Sequence, residues 1–173
     1  ATRKALGWSN KPFEIPEDIL ELWKKTTERS QKIFEEWENR FEQSSKKKRF
    51  KLFIDSEISQ SYERKMNSFI KQMKQEKPKL ATRQSSQKTL ELINKIIPNT
   101  LGGSADLTGS NLTKTSEMKT VLPGKSSGNY IHYGVREHGM AAVMNGLALY
   151  SGLIPYGGTF LIFSDYCKPS IRL

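Results

Sequence analysis

Residues 130–160 read YIHYGVREHGMAAVMNGLALYSGLIPYGGTF. The periodicity changes along this stretch. Tyr130-Ile131-His132-Tyr133-Gly134 alternates briefly, as the end of a strand does. Met140, Val143, Met144, Leu147 and Ala148 then recur at helical spacing, which predicts a helix over 136–150. Gly139, Ala141, Ala142, Asn145 and Gly146 make its other face small, so the helix is expected to be buried nearly all round. Residues 153–160 read as a short apolar strand, and 164–173 as the start of another helix. Upstream, Ser85-Ser86-Gln87 opens a helix that carries Leu90, Leu92, Ile93, Ile96 and Ile97 and is closed by Pro98. The order helix, strand, helix, strand, helix predicts an α/β fold with a parallel sheet.

Charge stops inside the same stretch. No Asp, Glu, Lys or Arg occurs from Gly139 to Ser164, in a chain that is 27% charged. Glu137 stands at the threshold of that run. Desolvation favours the neutral form of a carboxyl, which suits proton-transfer chemistry. An acid in the first turn of a helix is equally favourable on electrostatic grounds, so position alone leaves both readings open. His138 beside it reads first as a hydrogen-bonded structural histidine. The uncharged run is long enough to span a membrane, but Gly152, Pro155 and Gly157-Gly158 break it and Asn145 interrupts it, which argues against a membrane helix. Phe160, Phe163 and Tyr166 are spaced to share a face. They read as core, or as a wall on which a flat heteroaromatic ring stacks.

The remainder of the chain is of a different character. Its 173 residues have a net charge of +10 and are 36% hydrophobic, with a mean hydropathy of −0.61. Residues 101–173 hold six Lys/Arg against four acids, so +8 of the +10 falls in 1–100. Residues 1–16, with Pro12 and Pro16, read as an extended linker. Pro16-Glu17-Asp18 starts a long amphipathic helix reaching about Glu42, on Ile19, Leu22, Trp23, Ile33, Phe34, Trp37 and Phe41. A second helix is expected over 55–75, on Ile58, Tyr62, Met66, Phe69, Ile70 and Met73, forming a hairpin with the first. The basic run Lys46-Lys47-Lys48-Arg49 reads as the solvated loop between them. No zinc spacing or RNA-binding signature accompanies it, and nucleic acid is not expected as a partner. Cys167 is the only cysteine, so no internal disulfide can form and secretion is not indicated. The chain stops at Ile171-Arg172-Leu173 without a cap signal, and both ends read as cuts.

Between the two halves, residues 100–111 (TLGGSADLTGSN) read as a polar loop, either a plain turn or an active-site loop. Gly102-Gly103 matches neither a P-loop nor a dinucleotide fingerprint.

Taken together, Gly102-Gly103-Ser104-Ala105-Asp106-Leu107, Ser110-Asn111-Leu112-Thr113, the run from Tyr130 to Met140 and Pro155-Tyr156-Gly157-Gly158-Thr159-Phe160-Leu161 closely resemble the transketolase family in order and spacing. Residues 1–16 resemble the segment that joins its two large domains. The resemblance is strong over 81–173 and at the linker, and weak over 17–80. It implies three parts: an inter-domain linker at 1–16, a helical hairpin at 17–80, and at 81–173 the N-terminal part of a pyrimidine-binding domain, truncated. The implied fold is the thiamine-diphosphate-binding α/β fold, incomplete here.

The implied activity is transfer of a two-carbon ketol unit from a ketose phosphate to an aldose phosphate. Glu137 matches the catalytic glutamate, which hydrogen-bonds the aminopyrimidine so that its exocyclic nitrogen can take the proton from C2. Phe160, Phe163 and Tyr166 match the pocket around that ring, and Asp106 an acid near the thiazolium side. Arg83 and Ser110 match residues that hold the sugar phosphate, where a planar guanidinium suits phosphate oxygens. Gly109 departs from the proline found in many members. The element that holds Mg2+ or Ca2+ and the diphosphate belongs to a first domain absent from this sequence, so no metal ligand is assigned here. The resemblance also implies a homodimer with a shared site, a cytoplasmic location, and a fragment that does not turn over alone. Other readings are a related thiamine diphosphate enzyme, of the deoxyxylulose phosphate synthase or dihydroxyacetone synthase kind, or a non-catalytic basic interaction module.

Overall fold

The computed structural model describes residues 1–55, 58, 61–125 and 127–173. They divide into two compact units, Ala1–Lys48 and Arg49–Leu173.

The first unit begins with a short helix, α1 (Thr2–Ala5), where the sequence predicted extended chain throughout. The long helix α2 (Glu17–Glu42) starts directly after Pro16, with Glu17 and Asp18 in its first turn. Proline fixes the entry φ and lacks the donor that the first turn would leave unpaired, and the acids face the positive end of the helix dipole. Phe34, Trp37 and Phe41 stack in sequence along it, with centroids 6.2 and 5.2 Å apart. Lys47 pairs with Glu42 and lies 5.7 Å over the Phe41 ring.

The basic run is not a loop. Lys46 lies in a turn, and Lys47 opens helix α3 (Lys47–Ile54). Phe50, Leu52 and Phe53 give this segment enough apolar periodicity to be helical despite its charge. Of the helix expected over 55–75, only α4 (Ser61–Glu76) is present among the described residues: Asp55 lies in a turn and Ile58 is not helical, and residues 56, 57, 59 and 60 lie outside the described residues.

Helix α5 (Thr82–Ile96) starts ahead of the predicted Ser85 because the Gln84 side chain accepts the Ala81 N–H at 2.9 Å, capping the earlier turn. It leads into β1 (Thr100–Ser104), the middle strand of a three-stranded sheet ordered β2-β1-β3. The edges are β2 (Tyr130–His132) and β3 (Ile154–Pro155), both parallel to β1. The register pairs Gly102 with Tyr130, Ser104 with His132, and Thr100 with Ile154. A one-turn helix, α6 (Thr108–Asn111), follows β1; α7 (Glu137–Tyr150) follows β2; α8 (Ser164–Arg172) follows β3.

The parallel α/β pattern is thus as the sequence predicts, but its central strand lies within residues 100–111, where composition predicts a polar loop. Two glycines in five residues argue against a strand by propensity. Here they answer a packing demand. A Cβ on Gly102 would stand 2.5 Å from the Tyr156 ring, and one on Gly103 would overlap the Tyr133 ring.

The core comprises Ile97, Ala105, Met118, Tyr130, Met140, Ala141 and Cys167. Only Glu137, Met140 and Ala141 of α7 are buried, whereas Val143, Leu149 and Tyr150 are exposed. The expectation of a helix buried all round therefore fails for this chain. Helix α8 and strand β3 pack against α7, while Val143, Leu149 and Tyr150 stay exposed. No helix among the described residues is long and apolar enough to cross a membrane.

Candidate active site

The carboxyl ends of the three strands converge on Ser104, which is fully buried. Its hydroxyl donates to the Gly158 carbonyl at 3.0 Å and accepts the Leu107 N–H at 3.1 Å. The Ala105 N–H also reaches the Gly158 carbonyl, the Gly158 N–H reaches the Gly103 carbonyl, and the Tyr133 N–H reaches the Ser104 carbonyl. The Ser104 side chain thereby ties the turn after β1 to the segment after β3, and its main-chain carbonyl ties both to the residue that follows β2. Open α/β sheets bind ligands at this end.

Glu137 is the first residue of α7 and is 8% exposed. The residue before it, Arg136, turns away and donates from Nη1 to the Tyr133 carbonyl at 2.8 Å. Gly157 lets α7 lie close to the end of β3, since a Cβ there would come 2.8 Å from Met140 Sδ and 2.6 Å from Met144 Sδ. That proximity brings Thr159 to the carboxylate, with Thr159 Oγ1 3.5 Å from Glu137 Oε1. On the other side, the buried Cys167 thiol of α8 donates to the Glu137 main-chain carbonyl at 3.4 Å. Burial, and secondarily the Glu137 charge, pushes the Cys167 thiol above its ordinary value. His138 points elsewhere, with Nδ1 3.4 Å from Ser170 Oγ, in keeping with a structural histidine.

Directly after Thr159 the aromatic residues form a continuous row. Phe160 and Phe163 stack at 5.9 Å with 23° between their planes, and Phe163 meets Tyr166 at 6.2 Å and 33°. Phe160 and Tyr166 are exposed, so the row is not core. A buried carboxylate beside an open aromatic face is a donor set that fits a flat nitrogen heterocycle: the rings offer stacking area and the carboxylate accepts a ring N–H.

The other candidates are placed less directly. Asp106 follows the Ser104 hub in a left-handed conformation with φ 59° and is exposed. Ser110 lies on α6, whose first residue, Thr108, is held by the buried Tyr130 hydroxyl at 2.9 Å; Tyr130 also bonds Thr113 at 2.7 Å. Arg83 is exposed in the first turn of α5 and makes no ion pair among the described residues. No hydrogen bond among the described residues joins Arg83 or Ser110 to each other or to Glu137. Nor does any group of three or more His, Cys, Asp or Glu among them stand where it could hold a metal ion. Thr159, Ser104 and the tie from Cys167 to Glu137 escaped the sequence reading. The only signal for Thr159 was its place between Gly158 and Phe160.

Two family models match the chain: "Transketolase, pyrimidine binding domain" over residues 78–173 and "Transketolase, thiamine diphosphate binding domain" over residues 1–66. Among curated proteins, the transketolases of Cereibacter sphaeroides and Sinorhizobium medicae are each 47% identical over 173 residues; the alignment covers this whole chain and 26% and 25% of those proteins. The chain thus spans about a quarter of the length of these relatives. Among solved structures, transketolase from Campylobacter jejuni superposes with a TM-score of 0.76 at 30% identity, covering 98% of this chain and 25% of that one. A Pichia stipitis transketolase in complex with sedoheptulose-7-phosphate gives 0.79 at 30% identity, covering 94% and 25%.

Proposed function

The chain belongs to the transketolase family, and from that premise we propose that it supplies the pyrimidine-binding side of a thiamine diphosphate site. The reaction would be transfer of a two-carbon ketol unit from a ketose phosphate to an aldose phosphate. The observation that carries this reading is the buried Glu137 carboxylate set beside the open row Phe160, Phe163 and Tyr166.

When bound, thiamine diphosphate supplies an acidic C2–H and an electron sink for cleavage next to a carbonyl. The chain's own residues would do the rest. Phe160, Phe163 and Tyr166 hold the aminopyrimidine by its faces and exclude water from them. Glu137 accepts a hydrogen bond from the ring nitrogen and keeps the proton balance of the ring in favour of a basic exocyclic nitrogen. Its burial keeps water from competing for that bond. Asp106, at the turn after β1, faces the thiazolium side. Arg83 and Ser110 bind the sugar phosphate, the arginine through paired N–H donors. The excess positive charge of the chain aids capture of anionic sugars.

Mg2+ or Ca2+ and the diphosphate would be held by residues outside this sequence, and the complete site would be shared between two copies in a cytoplasmic homodimer. This sequence alone would not turn over, because the resemblance assigns the metal- and diphosphate-binding element to another domain of the family. The test is ketol transfer by the intact protein from a ketose phosphate to an aldose phosphate, with and without added thiamine diphosphate. Transfer that depends on the cofactor is expected, and its absence at saturating cofactor and metal would overturn the reading.

A further inference from the structure

We propose that Thr159 is a positioning residue for the Glu137 carboxylate. The inference rests on the role of Glu137 given above and deepens it. Thr159 Oγ1 stands 3.5 Å from Glu137 Oε1, and among the described residues Oε2 accepts no hydrogen bond. The two oxygens are therefore inequivalent: one is tethered to the protein, and the other is left to a ring N–H. At 3.5 Å the tether exceeds the usual O–H···O range. Catalytic hydrogen bonds are commonly long before the ligand is in place and tighten with it.

Two features make Thr159 a fixed anchor. The residue before it is pinned to the central strand, through Gly158 N–H to the Gly103 carbonyl and through Ala105 N–H and Ser104 Oγ to the Gly158 carbonyl. Its side chain is β-branched and has restricted χ1 freedom. Thr159 is also the residue immediately before Phe160, the first ring of the aromatic row. A single peptide segment thus presents the stacking face and sets the carboxylate that must meet the edge of the same ring. Without the hydroxyl, the carboxylate can rotate about its last bond, and the acid and the stacking face lose their common reference.

The experiment is a cycle in the intact protein over Thr159→Val, Thr159→Ser, Glu137→Ala and Thr159→Val with Glu137→Ala. Two quantities are read: the equilibrium Kd for thiamine diphosphate, and the rate of deuterium exchange at its C2. Valine keeps the shape and removes the donor. In the Glu137 background, Thr159→Val should slow exchange roughly tenfold or more, as expected for losing a hydrogen bond to a charged group, and should weaken cofactor binding. Thr159→Ser should stay within about threefold of the native protein, its hydroxyl being retained. In the Glu137→Ala background, Thr159→Val should change neither quantity further. Equal losses in both backgrounds, or no loss in the Glu137 background, would overturn the assignment. Failure of Glu137→Ala itself to slow exchange would remove the role of Glu137, and with it that of Thr159. Native-like Glu137 behaviour with an inert Thr159 would sink only the present inference.

Discussion

The Cys167 thiol is hydrogen-bonded to the main-chain carbonyl of Glu137, with Sγ 3.4 Å from the oxygen. It locks the first turn of α7 to α8, the helix that carries Tyr166. Burial and the Glu137 charge both raise the thiol above its ordinary value of 9.0. The folded state therefore holds this proton more tightly than the unfolded chain does. That stability is fully present below pH 9.0 and is lost as pH rises through the folded thiol's value. Above pH 9.0, Cys167→Ala should flatten the alkaline decline of unfolding stability relative to the native protein. Parallel declines would show that the thiol does not titrate as described. Iodoacetamide at neutral pH should leave Cys167 unmodified until the protein is unfolded.

Glu137→Gln keeps the size of the side chain and removes the carboxylate. In the intact protein it should slow deuterium exchange at the cofactor C2 by about 10²–10⁴ while leaving the circular dichroism unchanged. Exchange near the native rate would take Glu137 out of the proton relay.

If Arg83 holds the sugar phosphate, as proposed, Arg83→Ala separates phosphate binding from chemistry. KM for phosphorylated sugars should rise about tenfold or more, the usual scale for losing a charge-assisted hydrogen bond. KM for unphosphorylated donors should hold. A similar rise for both kinds of substrate would remove Arg83 from the phosphate site.

Gly103→Ala places a methyl group into the Tyr133 ring and 2.9 Å from the Ile131 carbonyl oxygen. The strand cannot retreat without breaking its pairing with β2. Unfolding stability should fall by about 1–3 kcal/mol, the range for overpacking. Gly109→Ala, where a Cβ meets nothing within 4 Å, is the control and should stay within about 0.5 kcal/mol of native. Equal stability of the two variants would contradict the packing account.

The start of α2 was legible because Pro16, Glu17 and Asp18 each act locally, through φ, a missing donor and the helix dipole. Helix α7 and the order of elements around it followed from spacing. Strand β1 was hidden because Gly102 and Gly103 serve rings contributed by Tyr156 and Tyr133, which no local window connects. The burial of α7 is overestimated by sequence because apolar composition reports a face suited to cover, whereas Val143, Leu149 and Tyr150 are exposed among the described residues. Glu137 stood out as the last charge before a long uncharged run. Thr159 and Ser104 carry no such contrast; their importance lies in hydrogen bonds to residues distant in sequence.

The sheet order has a consequence for how the chain comes to be folded. Strand β1 lies in the middle, yet both its neighbours, Tyr130–His132 and Ile154–Pro155, follow it in the sequence. On a ribosome the middle strand emerges first, with both edges bare, and must wait for partners that close long loops. Bare edges invite pairing with other chains. A five-residue strand with two glycines is a poor template for such pairing. The residues that make room for two tyrosine rings in the finished sheet also keep the unfinished one from recruiting strangers.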